Sequence, residues 1–272
     1  MPVSVEREAQ QAADRFRQQH RLGIQPLGDL VALIEQTTGH DVAVLDAEAD
    51  DHGLTMRDPE RARVFIGVAR SLNPMRQRNT LAPELAHLVF NDWTEDLGER
   101  SPEEIRADAF ARHLLAPVQG VKEFIGPVEN ATEATLADVV QRFLVSPAIA
   151  AIVLRDAGYI TSAVATQWMS LHTPQLATCY GWSDYYEALQ NESNLLRAPQ
   201  GLLARAIAGY AEGVVSAQAI ATLRGVALDT VVKELEEAGV IPRAFDVTEF
   251  ELDELPTVEV DLSGLEDQEP TS

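Results

Sequence analysis

The order of hydrophobic periods along the chain limits its fold more than any other feature. Val5, Ala9, Ala12, Ala13 and Phe16 recur at helical spacing over residues 4–20, and Leu27, Leu30, Val31, Leu33 and Ile34 form a second such set after Pro26. The period then changes. Asp41-Val42-Ala43-Val44-Leu45 and Val64-Phe65-Ile66-Gly67-Val68 are short apolar runs of strand type, joined by a loop holding Asp51, His52 and Gly53. Asn73–Arg78 reads as a polar turn around Pro74, followed by a helix from about Thr80 to Phe90 and another from Pro102 to Leu115, which stops before Pro117. Two strands among helices are too few for a barrel or a sandwich. The expected class is α+β, with a small sheet packed against helices.

The second half reads as helical. Thr135–Leu144, a Val145-Ser146-Pro147 turn and Ala148–Ala157 have the rhythm of a helix-turn-helix, and a similar unit recurs at Ser216–Arg224 and Leu228–Ala238. Between them, Trp168–Pro199 holds Trp168, Tyr180, Trp182, Tyr185 and Tyr186 without a clear period. These aromatics are expected in the core, with an aromatic-lined pocket as the alternative. The expected organisation is residues 1–127, residues 128–242 and a tail from residue 243 to 272.

Charge excludes several functions. The chain carries 43 acidic and 21 basic residues, a formal charge of −22, which opposes binding to nucleic acid or anionic lipid. Ten acidic residues and one arginine lie between Arg243 and Ser272, and Pro256, Gly264 and Pro270 interrupt any helix there. That segment reads as a disordered acidic tail, either solubilising or acting as an autoinhibitory or partner-binding strand. The second helix of each helix-turn-helix unit lacks a basic face: Pro147-Ala148-Ile149-Ala150-Ala151 presents nothing to a base edge, and Asp229, Glu234, Glu236 and Glu237 face a single Lys233. Packing or protein binding is expected of them, with direct DNA binding as the minor alternative. The lone Cys179 excludes an intramolecular disulfide and any multi-cysteine metal site, and is expected to be buried or half-buried. No apolar stretch reaches the roughly 18–20 residues of a membrane helix, and the charged N-terminus lacks a secretory apolar core, so the expected compartment is the cytoplasm.

The chemistry concentrates in Arg78-Asn79-Thr80-Leu81-Ala82-Pro83-Glu84-Leu85-Ala86-His87. On a helix, Glu84 and His87 share a face. A zinc-hydrolase helix normally has two His four residues apart with a Glu after the first as general base, and here Pro83 stands at the place of that first His. Glu104 and Asp108 follow on the next helix, at a spacing that puts both on one side. His113 lies half a turn away from Glu104 and is expected to point elsewhere. His52 is the freest substitute ligand by position. His172 falls in the unpatterned region, and His20 and His40 read as surface residues.

Two ordered motifs carry a resemblance. Arg78–His87 and Glu104-Ile105-Arg106-Ala107-Asp108-Ala109-Phe110-Ala111-Arg112-His113-Leu114-Leu115-Ala116-Pro117 are similar to the paired motifs of the ImmA/IrrE family of metallopeptidase-like regulators, over roughly residues 1–160. The resemblance implies a zincin-like domain, a Zn2+ cofactor, His87 and Glu104 as metal ligands, Glu84 as catalytic general base and Asp108 as an acceptor that orients a ligand. It also implies a DNA-binding repressor protein as partner. Pro83 departs from the pattern, because proline offers a metal no donor atom. The expectation is therefore a pseudo-peptidase that binds a protein partner; the alternative is an active zinc endopeptidase cleaving a repressor.

Overall fold

The computed structural model describes residues 4–47, 53–58, 60, 63–92 and 101–243. His52 and the tail beyond Arg243 lie outside the described residues.

Helix α1 (Val5–Gln19) starts where the Ser4 hydroxyl accepts a hydrogen bond from the Arg7 amide, and it buries Ala9, Ala12, Ala13 and Phe16. Helix α2 (Leu30–Thr38) is capped by Asp29 and ends at Gly39, whose positive φ of 71° closes the last turn. Three strands follow: β1 (Asp41–Leu45), β2 (Leu54–Asp58) and β3 (Arg63–Ala69), in the order β1-β3-β2. β1 pairs with β3 in parallel, Val42 opposite Ile66, whereas β2 pairs with β3 antiparallel, Thr55 opposite Ile66. The fold is α+β, as the order of periods implies.

β2 lies where the sequence reads as a loop. Its two apolar side chains, Leu54 and Met56, are 46% and 50% exposed, and only Thr55 between them turns to the inner face, so the strand carries no buried apolar period. A second difference concerns α3, which runs from Pro74 to Phe90 rather than from Thr80. Asn73 caps it by accepting from the Arg76 amide, and Pro74 takes the first helical position, where its missing N–H costs nothing. The stretch read as a polar turn around Pro74 is the first turn of the helix.

Helices α4 (Pro102–Leu115) and α5 (Val118–Ile125) follow, then α6 (Glu133–Phe143) and α7 (Pro147–Asp156), set at 110° to each other. The unpatterned stretch resolves into α8 (Ser162–Trp168), α9 (Thr173–Cys179) and α10 (Ser183–Ser193). Trp168, Trp182 and Tyr186 are buried, Trp182 and Tyr186 edge-to-face, while Tyr180 and Tyr185 stay exposed. Cys179 is exposed, contrary to expectation, because it ends a seven-residue helix that buries Thr173, Leu176 and Ala177 instead. No single helix among the described residues is long and apolar enough to cross a membrane.

One apolar core runs from Ala9 to Tyr186, across residues 127 and 128. Two buried arginines tie it together. Arg17 of α1 donates to the carbonyls of Gly23, Gln25 and Leu114, and Arg78 of α3 to those of Leu27, Gly28 and Leu144. Burial pushes both guanidinium pKa values down to about 10, still far above neutrality, so both remain charged. A second small core, Ile220, Ala221, Val231 and Leu235, belongs to α11 (Gln200–Ala211), α12 (Ala217–Arg224) and α13 (Leu228–Glu237). Arg197 pairs with Val44 across the outer edge of β1, and Arg205 with Asp41, which joins this unit to the sheet.

Candidate functional site

Pro83 sits deep inside α3, not in its first turn. Nine helical residues precede it, so the carbonyl of Asn79 has no amide to accept from at the usual position, a cost of about 3 kcal/mol. The Asn79 Oδ1 atom is buried without a hydrogen-bond partner among the described residues. Continuous packing overrides the local preference: Met75, Leu81, Ala82, Leu85 and Ala86 of α3 are all buried in the core.

One turn on, His87 meets Glu104 of α4, with Nε2 3.3 Å from Oε1. The structure thus brings together the two side chains expected as metal ligands. Glu84 turns toward the edge strand. Its carboxylate accepts a hydrogen bond from the Thr55 hydroxyl of β2, and it fills the space that a Cβ at Gly53 would need. Glycine at 53 therefore permits the close approach of strand to carboxylate. Thr55 and Gly53 went unread as site residues; the only sequence signal was the alternation Leu54-Thr55-Met56.

Arg106 holds this corner in place. Its guanidinium donates to both carboxylate oxygens of Asp92 at 2.9 and 2.7 Å and to Glu8 at 2.9 Å, and lies over the Phe90 ring at 4.3 Å. The Asp92 amide in turn donates to the His87 carbonyl. The end of α3, α4 and α1 are fixed together, and with them the His87–Glu104 pair. Asp108 is exposed on α4, one turn beyond Glu104.

The remaining histidines are dispersed. His113 is buried and its Nε2 lies 2.7 Å from Glu6 Oε1 of α1, away from the His87–Glu104 pair, as its rotation on α4 implies. His172 is exposed at the start of α9. His20 and His40 are half-buried rather than on the open surface, because both border a pocket between α1, α2 and α3.

A catalytic zinc normally takes three protein ligands. Among the described residues, no group of three His, Cys, Asp or Glu side chains is placed to hold a metal ion. Among the described residues His87 and Glu104 supply two donors and Pro83 none, one short of the set that a catalytic zinc centre takes.

Residues 36–155 match the family model of the IrrE N-terminal-like domain, peptidase family M78. Over that span the chain is similar to the IrrE N-terminal-like domain. The match runs from the end of α2 through the sheet, α3, α4 and α5 into α7, and the domain is zincin-like in fold. No curated protein matches the chain. Helix α1 and everything beyond Arg155 lie outside the matched span, yet α1 and α8 to α10 share the core of the IrrE-like domain.

Proposed function

We propose that this chain is an ImmA/IrrE-like regulator in which the peptidase cleft binds a protein partner without hydrolysing it. The observation that carries the reading is Pro83 in the interior of α3. A residue that cannot ligate a metal, and that costs the helix a hydrogen bond, occupies the position of a ligand. Without a third ligand there is no activated water for Glu84 to deprotonate, and Glu84 instead holds the edge strand through Thr55.

The cleft keeps features suited to an extended segment. β2 is an edge strand beside Glu84, and its exposed Leu54 and Met56 offer apolar contacts to a chain added alongside it. An acidic molecule of formal charge −22 favours a basic partner, and a DNA-binding repressor has that character.

Metal analysis of the purified full chain beside Pro83→His tests the proposal. The expected result is no stoichiometric zinc in the natural chain and a gain of zinc in the variant. Incubation with the candidate repressor is expected to give a stable complex and no cleavage. Stoichiometric zinc in the natural chain, with repressor cleavage lost in Glu84→Gln, would establish the active endopeptidase instead. Loss of that zinc in His52→Ala would then identify the third ligand.

A further inference from the structure

A concavity lies on the side of α3 that faces α1 and the end of α2. It encloses about 450 Å3 between α1, the end of α2 and α3, within the range of small-molecule sites. Phe16, Leu85 and Leu88 form its apolar floor, and Arg15, His20 and His40 stand around it. The imidazole of His20 lies against the Phe16 ring, with centroids 4.4 Å apart.

Two observations set this pocket apart from an ordinary groove between helices. Among the described residues no Asp or Glu lines it, in a chain with twice as many acidic as basic residues. None of the Arg15, Gln19, His20 and His40 side chains around it makes a hydrogen bond or ion pair with another described residue. Arg17, Arg78, Arg106 and Arg112 are by contrast tied to carboxylates or carbonyls. Burial holds the His40 pKa below its ordinary value despite the neighbouring Asp41, so near neutral pH its imidazole is a neutral hydrogen-bonding group. Arg15 then supplies the formal charge. Arg15, Phe16 and His20 precede the matched span, whereas the lining residues of α2 and α3 fall inside it, so the pocket straddles the start of the match.

We propose that this pocket binds a small amphipathic carboxylate. The guanidinium of Arg15 pairs with the carboxylate, His20 and His40 hydrogen-bond it, and the apolar body lies on Phe16, Leu85 and Leu88. Both halves of the ligand are required, because an inorganic anion leaves the floor wet and an uncharged ring leaves Arg15 unpaired.

Benzoate is a suitable probe, titrated calorimetrically into the full chain. A ligand of this size is expected to saturate one site with a Kd of about 1 mM. Arg15→Ala, an exposed position whose loss the fold tolerates, is expected to weaken binding about tenfold or more. The control Arg155→Ala, an exposed arginine on α7, leaves it unchanged. Inorganic phosphate and benzyl alcohol are each expected to bind at least about tenfold more weakly. Absence of saturation, binding retained in Arg15→Ala, or equal binding of phosphate or benzyl alcohol would each overturn the assignment. None of these outcomes bears on zinc or on the cleft, so this inference and the proposed function stand or fall separately.

Discussion

Arg78 and Pro83 share one helix and act on it in opposite directions. Arg78 donates to three carbonyls, the buried Leu27 and the less enclosed Gly28 and Leu144. Arg78→Leu keeps the apolar volume but strands those acceptors, and is expected to cost about 3 kcal/mol or more in urea unfolding. A loss below about 1 kcal/mol would show that water replaces the guanidinium. Pro83 instead denies the Asn79 carbonyl its helical donor. Pro83→Ala restores that N–H and is expected to raise stability by up to about 3 kcal/mol, read as a higher Tm. A lower Tm would mean that the proline ring fills space the helix needs.

At the level of elements, the packing of α1 on α4 is fastened by charge as well as by alanines. Glu6 of α1 accepts from Arg112 and His113 of α4, and Glu8 from Arg106. Partial burial raises the Glu6 pKa, but the bonds from Arg112 and His113 outweigh it and leave the group below the ordinary carboxylate value. A carboxylate lowered in the folded state stabilises the fold above its unfolded-chain pKa, and that contribution is lost as pH falls through the lowered value. The stability difference between the natural chain and Glu6→Gln is therefore expected to be largest near neutral pH and to fade as acid protonates the carboxylate in both the folded and unfolded chain. Urea unfolding at neutral and at acid pH checks this, and a difference independent of pH would remove Glu6 from the account. The edge strand makes a different point at this scale. β2 is defined by its pairing with β3 and by Glu84 beneath it, since its own residues have almost no buried face.

For the molecule as a whole, the two cores divide its stability. The large one joins the sheet to α1–α10, while the small one holds α11–α13 with only four buried side chains, and α11 itself buries none. A unit with so little buried area is expected to open by itself. Native-state hydrogen exchange should show the amides of α12 and α13 exchanging well ahead of those of α3 and α4. Ile220→Ala should speed exchange in α11–α13 while leaving the large core unchanged. Loss of both cores together in that variant would mean that the Arg197 and Arg205 contacts couple them fully.

The sequence by itself determined the class of fold, the helices with a clear apolar period and the face shared by Glu84 and His87. Each of these follows from spacing along one element, which a period of 3.6 or 2 makes visible. It also located the proline at the ligand position, since a missing donor atom is a property of the residue alone. The tertiary structure decided what depends on contacts between elements. It extended α3 back to Pro74 and so put Pro83 in the helix interior, because core packing outweighs the local cost. It made a strand of residues 54–58 from pairing alone, set Thr55 on Glu84, and gathered Arg15, His20 and His40 around one pocket from separate segments of the chain. No periodicity records such meetings, since they arise only when distant helices and strands pack against a common core.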